Sequence, residues 1–144
     1  MERTPQGLAA RYRIEGDLSR VRVPSPAQAR RADNLWRHTC CELFLARGAG
    51  YREYNFSPSG EWAAYAFDDY RKAAGNVAVE PRIRVRSGSG FLELEADVPE
   101  SAEAQVGLSA VIEDSEGTLS YWALRHTPGK PDFHHPDAFA LRLA

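Results

Sequence analysis

The chain has 144 residues, of which 43% are hydrophobic and 26% are charged, and this composition is typical of a single globular domain. Eighteen lysine and arginine residues against twenty aspartate and glutamate residues give a net charge of −2, which excludes the basic composition of a nucleic-acid-binding protein. No apolar segment approaches the ~20 residues of a membrane-spanning helix, and the first residues lack the apolar core of a secretory signal. We therefore expect one cytoplasmic domain over residues 1–144, with no nucleic-acid or membrane partner.

The first third of the chain predicts a strand pair followed by a loop. Residues 8–14 and 18–23 alternate polar and apolar side chains around a turn at residues 15–17, which predicts two antiparallel strands. Arg11 and Arg13 share the outer face of the first strand, where we expect a solvated surface. The polar residues 24–34 predict a loop or one helical turn.

Residues 35–70 predict a three-stranded β-meander, with strands over residues 39–46, 51–56 and 61–67. The turns between them are Arg-Gly-Ala-Gly and Ser-Pro-Ser-Gly. Cys40 and Cys41 are adjacent and therefore point to opposite faces of a strand, so we expect two free, buried thiols. Free thiols are consistent with a reducing compartment.

The second half predicts further strands. Residues 68–80 show no clear period and predict a connection with a helical turn up to Gly75, and residues 99–105 predict another turn. The strand candidates are residues 81–86, 91–98, 106–113, 119–124 and 139–143. Arginines on the first of these strands face glutamates on the second, which predicts stabilising cross-strand pairs. About nine short strands without a long helix indicate an all-β fold, an antiparallel β-sandwich of jelly-roll type.

The meander also carries candidate ligand-binding residues. Glu42 shares a strand face with Cys40, and Glu53 and Asn55 share a face of the next strand. If these faces align, carboxylates and amides lie beside aromatic rings, as in sugar-binding sites. The alternative is that Glu42 hydrogen-bonds to neighbouring backbone, to Arg52 or to His38, and that the aromatic residues belong to the core.

The C-terminal segment, residues 125–137, holds three of the four histidines and three prolines that stiffen it. His126 and His134 could converge with Asp132 on a divalent metal, because imidazole and carboxylate suit zinc or iron. The alternative is that these side chains hydrogen-bond to one another and to backbone, and so fasten the segment to the sheet. Among the tryptophans, Trp62 and Trp122 lie within strands and predict core positions, whereas Trp36 precedes its strand and predicts a rim position.

Four blocks of sequence resemble the bacterial DOMON-like proteins, which are grouped with family 9 carbohydrate-binding modules and with the ligand-binding domains of DOMON proteins. The blocks are residues 35–42 (LWRHTCCE), 54–65 (YNFSPSGEWAAY), 121–124 (YWAL) and 131–135 (PDFHH). The resemblance covers most of the chain, but it is weak before residue 24 and between residues 68 and 120. Cys41 departs from it, since relatives usually carry an aromatic residue there.

The resemblance implies a non-catalytic sandwich that binds a sugar or a haem-like ligand. DOMON domains typically ligate haem through a methionine, and Met1 is the only methionine here, so only bis-histidine ligation remains open. Relatives also have a strand before the equivalent of Leu8. Either this sheet edge is open, which would favour a homodimer through strand addition, or the start of the sequence was chosen downstream of the natural one.

From these arguments we expect a small-molecule ligand, a carbohydrate, and no cofactor. The predicted ligand-binding residues are Trp36, His38, Glu42, Asn55, Tyr121, His126, Asp132 and His134. Three alternatives remain open: haem or metal binding through the histidine-rich segment, acid–base catalysis by Glu42 with His38 or His134, and an interaction domain without a small ligand.

Overall fold

The computed structural model describes residues 1–100 and 104–143, and these contain eleven β-strands. The strands are β1 (Glu2–Thr4), β2 (Gly7–Glu15), β3 (Cys40–Arg47), β4 (Gly50–Phe56), β5 (Trp62–Asp69), β6 (Lys72–Asn76), β7 (Arg82–Gly88), β8 (Phe91–Val98), β9 (Ala104–Glu113), β10 (Leu119–Ala123) and β11 (Leu141–Leu143). The only helices within the described ranges are single 3-10 turns at Leu18–Arg20, Leu35–Arg37 and Pro136–Ala138. None of these helices is long and apolar enough to cross a membrane.

The strands form two antiparallel sheets. The smaller sheet has the order β1-β2-β8-β7, and the larger has the order β10-β9-β3-β4-β5-β6, with β11 paired to the other end of β9. The apolar side chains of the two inner faces make one core, in which Leu43, Tyr54 and Phe56 of the larger sheet meet Leu94 and Val98 of the smaller. The predicted antiparallel β-sandwich is therefore confirmed, with more strands than the nine expected.

The predicted strand over residues 18–23 is wrong. Leu18–Arg20 forms a 3-10 turn because the Asp17 carboxylate accepts hydrogen bonds from the backbone N–H of Ser19 at 3.1 Å and from its hydroxyl at 2.6 Å. This capping starts a helical turn in a segment whose alternation resembles a strand. Val21 alone makes a β-bridge, to Asp114.

Strand β6 replaces the helical turn predicted up to Gly75. Its hairpin with β5 turns at Tyr70 and Arg71, without glycine or proline at either position, and Arg71 takes the left-handed conformation at φ 52°. All five residues of β6 are exposed, so the strand lacks the alternation by which strands are recognised. Of the helical turn predicted over residues 99–105, residues 101–103 lie outside the described residues, and the last two residues belong to strand β9 instead.

The N-terminal edge is partly covered. Strand β1 pairs with Gly7, Leu8 and Ala9 of β2, so the edge expected to be open at Leu8 has a partner. Farther along β2, residues 10–15 pair with β8 on one side, and no described strand lies on the other.

The outer face of the smaller sheet is a ladder of ion pairs centred on β8, which confirms the predicted pairing of arginines with acidic residues. The pairs are Arg11 with Glu95, Arg13 with Glu93, Arg84 with Glu95 and Asp97, and Arg86 with Glu93. Because these side chains are exposed and screened by solvent, the pairs add little to stability. They neutralise the arginines, and the face is therefore a solvated surface and not a basic binding site.

Candidate functional site

The outer face of the larger sheet, which points away from the core, carries the polar residues of the meander. Glu42 of β3 lies opposite Asn55 of β4, and Phe44 lies opposite Glu53. The predicted alignment of these two strand faces is confirmed. Ser109 of β9 lies on the other side of Glu42, so a polar row crosses three neighbouring strands.

The segment between β10 and β11 folds over this face. Phe139 stacks on Phe44 with 5.8 Å between ring centroids, and His134 enters beside Phe44 and Phe67, at 5.1 Å from each ring. Gly107 lies beneath Phe139, and a Cβ atom at this position would come within 2.9 Å of that ring. Glycine therefore allows the segment to approach the sheet closely.

An open pocket of about 660 Å³ lies between the C-terminal segment and the sheet, a volume within the usual range for small-molecule sites. Glu42 and Glu53 form its floor, and Arg71 and Lys130 lie on its walls together with His134. The aromatic lining comes from Trp36, Tyr65, Phe67, Tyr121 and Phe133. The pocket thus combines flat apolar surfaces with buried polar groups.

The two floor carboxyls are almost completely buried, with Glu42 4% and Glu53 6% exposed. The Glu42 carboxyl accepts a hydrogen bond from the Ser109 hydroxyl at 3.2 Å. Burial, with a further contribution from the charge of Glu53, raises the pKa of Glu42 to about 8. Burial also raises the pKa of Glu53 to about 7, against the opposing charge of Arg71. At neutral pH the Glu42 carboxyl is therefore mainly protonated, whereas Glu53 is partly ionised.

His134 is held as a neutral imidazole. The backbone N–H of Arg71 donates to the Tyr51 hydroxyl at 3.0 Å, so that hydroxyl can donate to Nδ1 of His134, 2.8 Å away. This arrangement puts the imidazole proton on Nε2, which faces Oε2 of Glu53 at 3.6 Å. Burial and the charge of Arg71 lower the pKa of His134 to about 4, so the ring stays uncharged at neutral pH.

Asp132 fastens the C-terminal segment to the β5–β6 turn. Its carboxylate accepts hydrogen bonds from the Arg71 guanidinium at 2.9 Å, from the Tyr70 hydroxyl, and from the backbone N–H of His134 at 3.2 Å. Although burial opposes it, the hydrogen bonds from Tyr70 and Arg71 hold the pKa of Asp132 below its ordinary value. The hydrogen bonds of Asp132 and His134 therefore fasten the segment to the sheet, which is the alternative to metal binding that the sequence left open.

The structure brings four of the eight predicted site residues together, since the pocket is lined by Trp36, Glu42, Tyr121 and His134. Asn55 lies beside Glu42 in the sheet. Its side chain is fully buried, and its amide lies near enough to Glu53 to lower the pKa of that carboxyl, although no hydrogen bond to either amide atom has ordinary geometry.

The other three predicted residues do not line the pocket. Nδ1 of His38 lies 3.0 Å from Oε1 of Glu113, so His38 is paired away from Glu42. His126 is exposed, with its ring 6.1 Å from that of Phe133, and Asp132 has the fastening role described above. Within residues 1–100 and 104–143, no three His, Cys, Asp or Glu side chains are grouped as metal ligands would be.

Two of the three tryptophans and both cysteines lie where the sequence predicts. Trp62 is buried and Trp36 is on the rim of the pocket, as predicted. The core position predicted for Trp122 is wrong. This residue is 63% exposed because it lies on β10, an edge strand, and its indole N–H donates to Ser120. Cys40 and Cys41 are both buried free thiols, as expected.

Sequence reasoning missed several lining residues. Tyr65 and Phe67 alternate with core positions on β5, so the period of two could have assigned them to the same face as Glu53. Arg71 and Lys130 come from a turn and a loop, and no periodic signal marks them.

Comparisons of the chain with protein-family models, with curated proteins and with solved structures found no match.

Proposed function

We propose that this protein is a non-catalytic, cytoplasmic binding module and that its pocket takes a small carbohydrate. One observation carries the proposal: two buried carboxyls, Glu42 and Glu53, form the floor of a pocket whose walls are aromatic. The resemblance of the meander and C-terminal blocks to DOMON-like proteins and family 9 modules supports the same class of ligand.

The pocket chemistry matches that of a sugar ring. A pyranose has apolar C–H faces, which pack on aromatic rings such as those of Trp36 and Tyr121, and hydroxyls that both donate and accept hydrogen bonds. A protonated Glu42 can donate to one hydroxyl, and a partly ionised Glu53 can accept from another.

A glycan array followed by calorimetric titration tests the proposal. Trp36→Ala removes a stacking surface from the pocket, and we expect it to weaken binding about tenfold or more, since truncating an aromatic anchor costs ~1–2 kcal/mol or more. Trp122→Ala is the matched control, because Trp122 is also exposed but lies outside the pocket lining. Equal dissociation constants for the two variants would place the ligand elsewhere.

Acid–base catalysis is the second candidate, because paired buried carboxyls with raised pKa values are common in active sites. The distinguishing assay incubates the protein with the glycan it binds and analyses the products. Turnover that is lost in Glu42→Gln and in Glu53→Gln would replace the binding proposal with an enzymatic one.

Haem or metal binding has less support, because Nδ1 of His134 is already bonded to Tyr51 and His126 lies outside the pocket lining. An absorbance spectrum and metal analysis of the purified protein decide the matter. A Soret band or a stoichiometric metal would contradict the carbohydrate proposal.

A further inference from the structure

The buried carboxyls of this protein differ in whether a lysine or arginine side chain lies beside them. Glu100, which is 3% exposed, accepts hydrogen bonds from the guanidinium groups of Arg47 and Arg52. Glu42 and Glu53 are just as buried, yet neither has a lysine or arginine nitrogen within 4.0 Å among the described residues. The fold therefore pairs a structural carboxylate with cations and leaves the pocket carboxyls without them.

An ionised carboxylate in such a position has lost its hydration with no cation in its place, which is unfavourable. Glu42 and Glu53 are diagonal neighbours on paired strands, with backbones about 7–8 Å apart. A single positive group entering above them would be within reach of both carboxyls. The pocket floor is therefore complementary to a cation that arrives with the ligand.

The walls of the pocket also favour a cation. Aromatic rings attract ammonium groups through their π faces, and the rings of Trp36, Tyr65 and Tyr121 line this pocket. The one guanidinium on the wall, that of Arg71, is bonded to Asp132 at 2.9 Å, which offsets part of its charge, while the remainder lowers the pKa of Glu53 without contacting that carboxyl. Lys130 is an exposed residue of the pocket lining.

We propose that the sugar bound in this pocket carries a free, protonated amine, as an unacetylated hexosamine does. This inference rests on the proposed function. The ammonium group would lie against the Glu53 carboxylate, while Glu42 bonds to a neighbouring hydroxyl. This assigns the ligand class of the site by charge: amino sugars are preferred over N-acetylated and neutral sugars of the same ring.

The preference should depend on pH, because the ammonium group needs an ionised carboxylate. Burial raises the pKa of Glu53 to about 7, so affinity for the amino sugar should rise about tenfold between pH 5.5 and pH 7.5. Affinity for the N-acetylated sugar should change little over this range. The titratable and charged groups around Glu53 are Glu42 on β3, Tyr51 on β4, Tyr65 on β5, Arg71 in the β5–β6 turn, Tyr121 on β10, and Lys130, Asp132 and His134 in the C-terminal segment.

The test compares D-glucosamine, N-acetyl-D-glucosamine and D-glucose, which differ only at one ring substituent, by NMR titration of the full chain at pH 7. We expect glucosamine to bind at least about tenfold more tightly than the other two. Glu53→Gln keeps the shape of the side chain and should abolish this preference. Glu113→Gln is the control, since Glu113 is a buried carboxyl of the same sheet outside the pocket lining, and it should leave the preference unchanged.

Each outcome bears on one proposal or on both. Equal affinity for the three sugars would overturn the amino-sugar inference and leave the carbohydrate proposal standing. Binding of choline without binding of any of the three sugars would overturn both, because the site would then recognise an ammonium group with no need of a sugar ring. A glucosamine preference that survives in Glu53→Gln would also overturn the inference.

Discussion

Glu42 and Glu100 are buried to the same degree, and the difference in their partners predicts opposite responses to loss of charge. Glu100→Gln leaves the guanidinium groups of Arg47 and Arg52 without their carboxylate. Because both arginines are partly exposed, we expect a loss of about 1–3 kcal/mol in the free energy of unfolding. Glu42→Gln removes only an uncompensated carboxyl, and at pH 8 it should be neutral or stabilising by about 1 kcal/mol.

Urea unfolding of the two variants at pH 8 measures this contrast. A loss of stability in Glu42→Gln as large as that in Glu100→Gln would show that the Ser109 hydrogen bond, and not the missing counter-charge, dominates at the pocket floor.

At the residue scale, sequence reasoning succeeds where a period of two decides the outcome. Glu42, Glu53 and Asn55 were predictable as one surface because alternate residues of paired strands share a face. The partners of Glu100 and Asp132 were not predictable, because Arg47 and Tyr70 are more than fifty residues away from them along the chain. Packing of the two sheets brings Arg47 to Glu100, and folding of the C-terminal segment over the larger sheet brings Asp132 to Tyr70.

The C-terminal segment is the element that closes the pocket, and Asp132 is its main polar attachment to the β5–β6 turn. Asp132→Asn removes the charge that pairs with Arg71 and weakens the bond to Tyr70, at a cost of about 1–2 kcal/mol. Local opening of the segment should become more frequent, because the sandwich core beneath it does not depend on this contact.

Hydrogen exchange measures that opening. Amides of residues 125–140 should exchange about tenfold faster in Asp132→Asn, while those of β3 and β4 keep their protection. Asp137→Asn is the matched control, since Asp137 belongs to the same segment, is largely exposed and pairs with His135 rather than with the β5–β6 turn. Faster exchange across the whole chain would mean that the segment is part of the cooperative core.

At the element scale, the strands over the core and the edge strands β7 and β10 were predicted, whereas the edge strands β1 and β6 were not. Strands β3, β4, β5 and β8 alternate strictly between core and opposite face, and their bounds lie within about two residues of the prediction. Strand β6 is exposed on both faces, and Trp122 lies on an edge strand, so hydrophobicity there carries no information about burial. The segment at Leu18–Arg20 alternates like a strand, but the capping by Asp17 overrides that pattern.

For the whole molecule, the direction of each pKa shift sets the dependence of stability on pH. Glu42 and Glu53 have raised pKa values in the folded state, so their contribution to stability is present below the unfolded-state pKa of ~4.3 and is lost as the pH rises through about 7 and 8. Glu100 has a lowered pKa because, against the effect of burial, the hydrogen bonds from Tyr54 and Arg52 stabilise its ionised form. Its contribution is therefore lost as the pH falls below ~4.3.

His134 acts in the opposite sense to the pocket carboxyls, because its pKa is lowered from 6.5 to about 4 and its contribution is lost as the pH falls over that interval. Above pH 6.5 this opposing effect ends, and the ionisation of Glu42 and Glu53 determines how stability changes with pH. We therefore expect the free energy of unfolding to fall by ~1–3 kcal/mol between pH 6.5 and pH 8.5. Urea unfolding across this range should show the fall in the wild-type chain and a flat profile in the Glu42→Gln, Glu53→Gln double variant. A fall of the same size in the double variant would mean that the ionisation of Glu42 and Glu53 does not cause the loss in the free energy of unfolding.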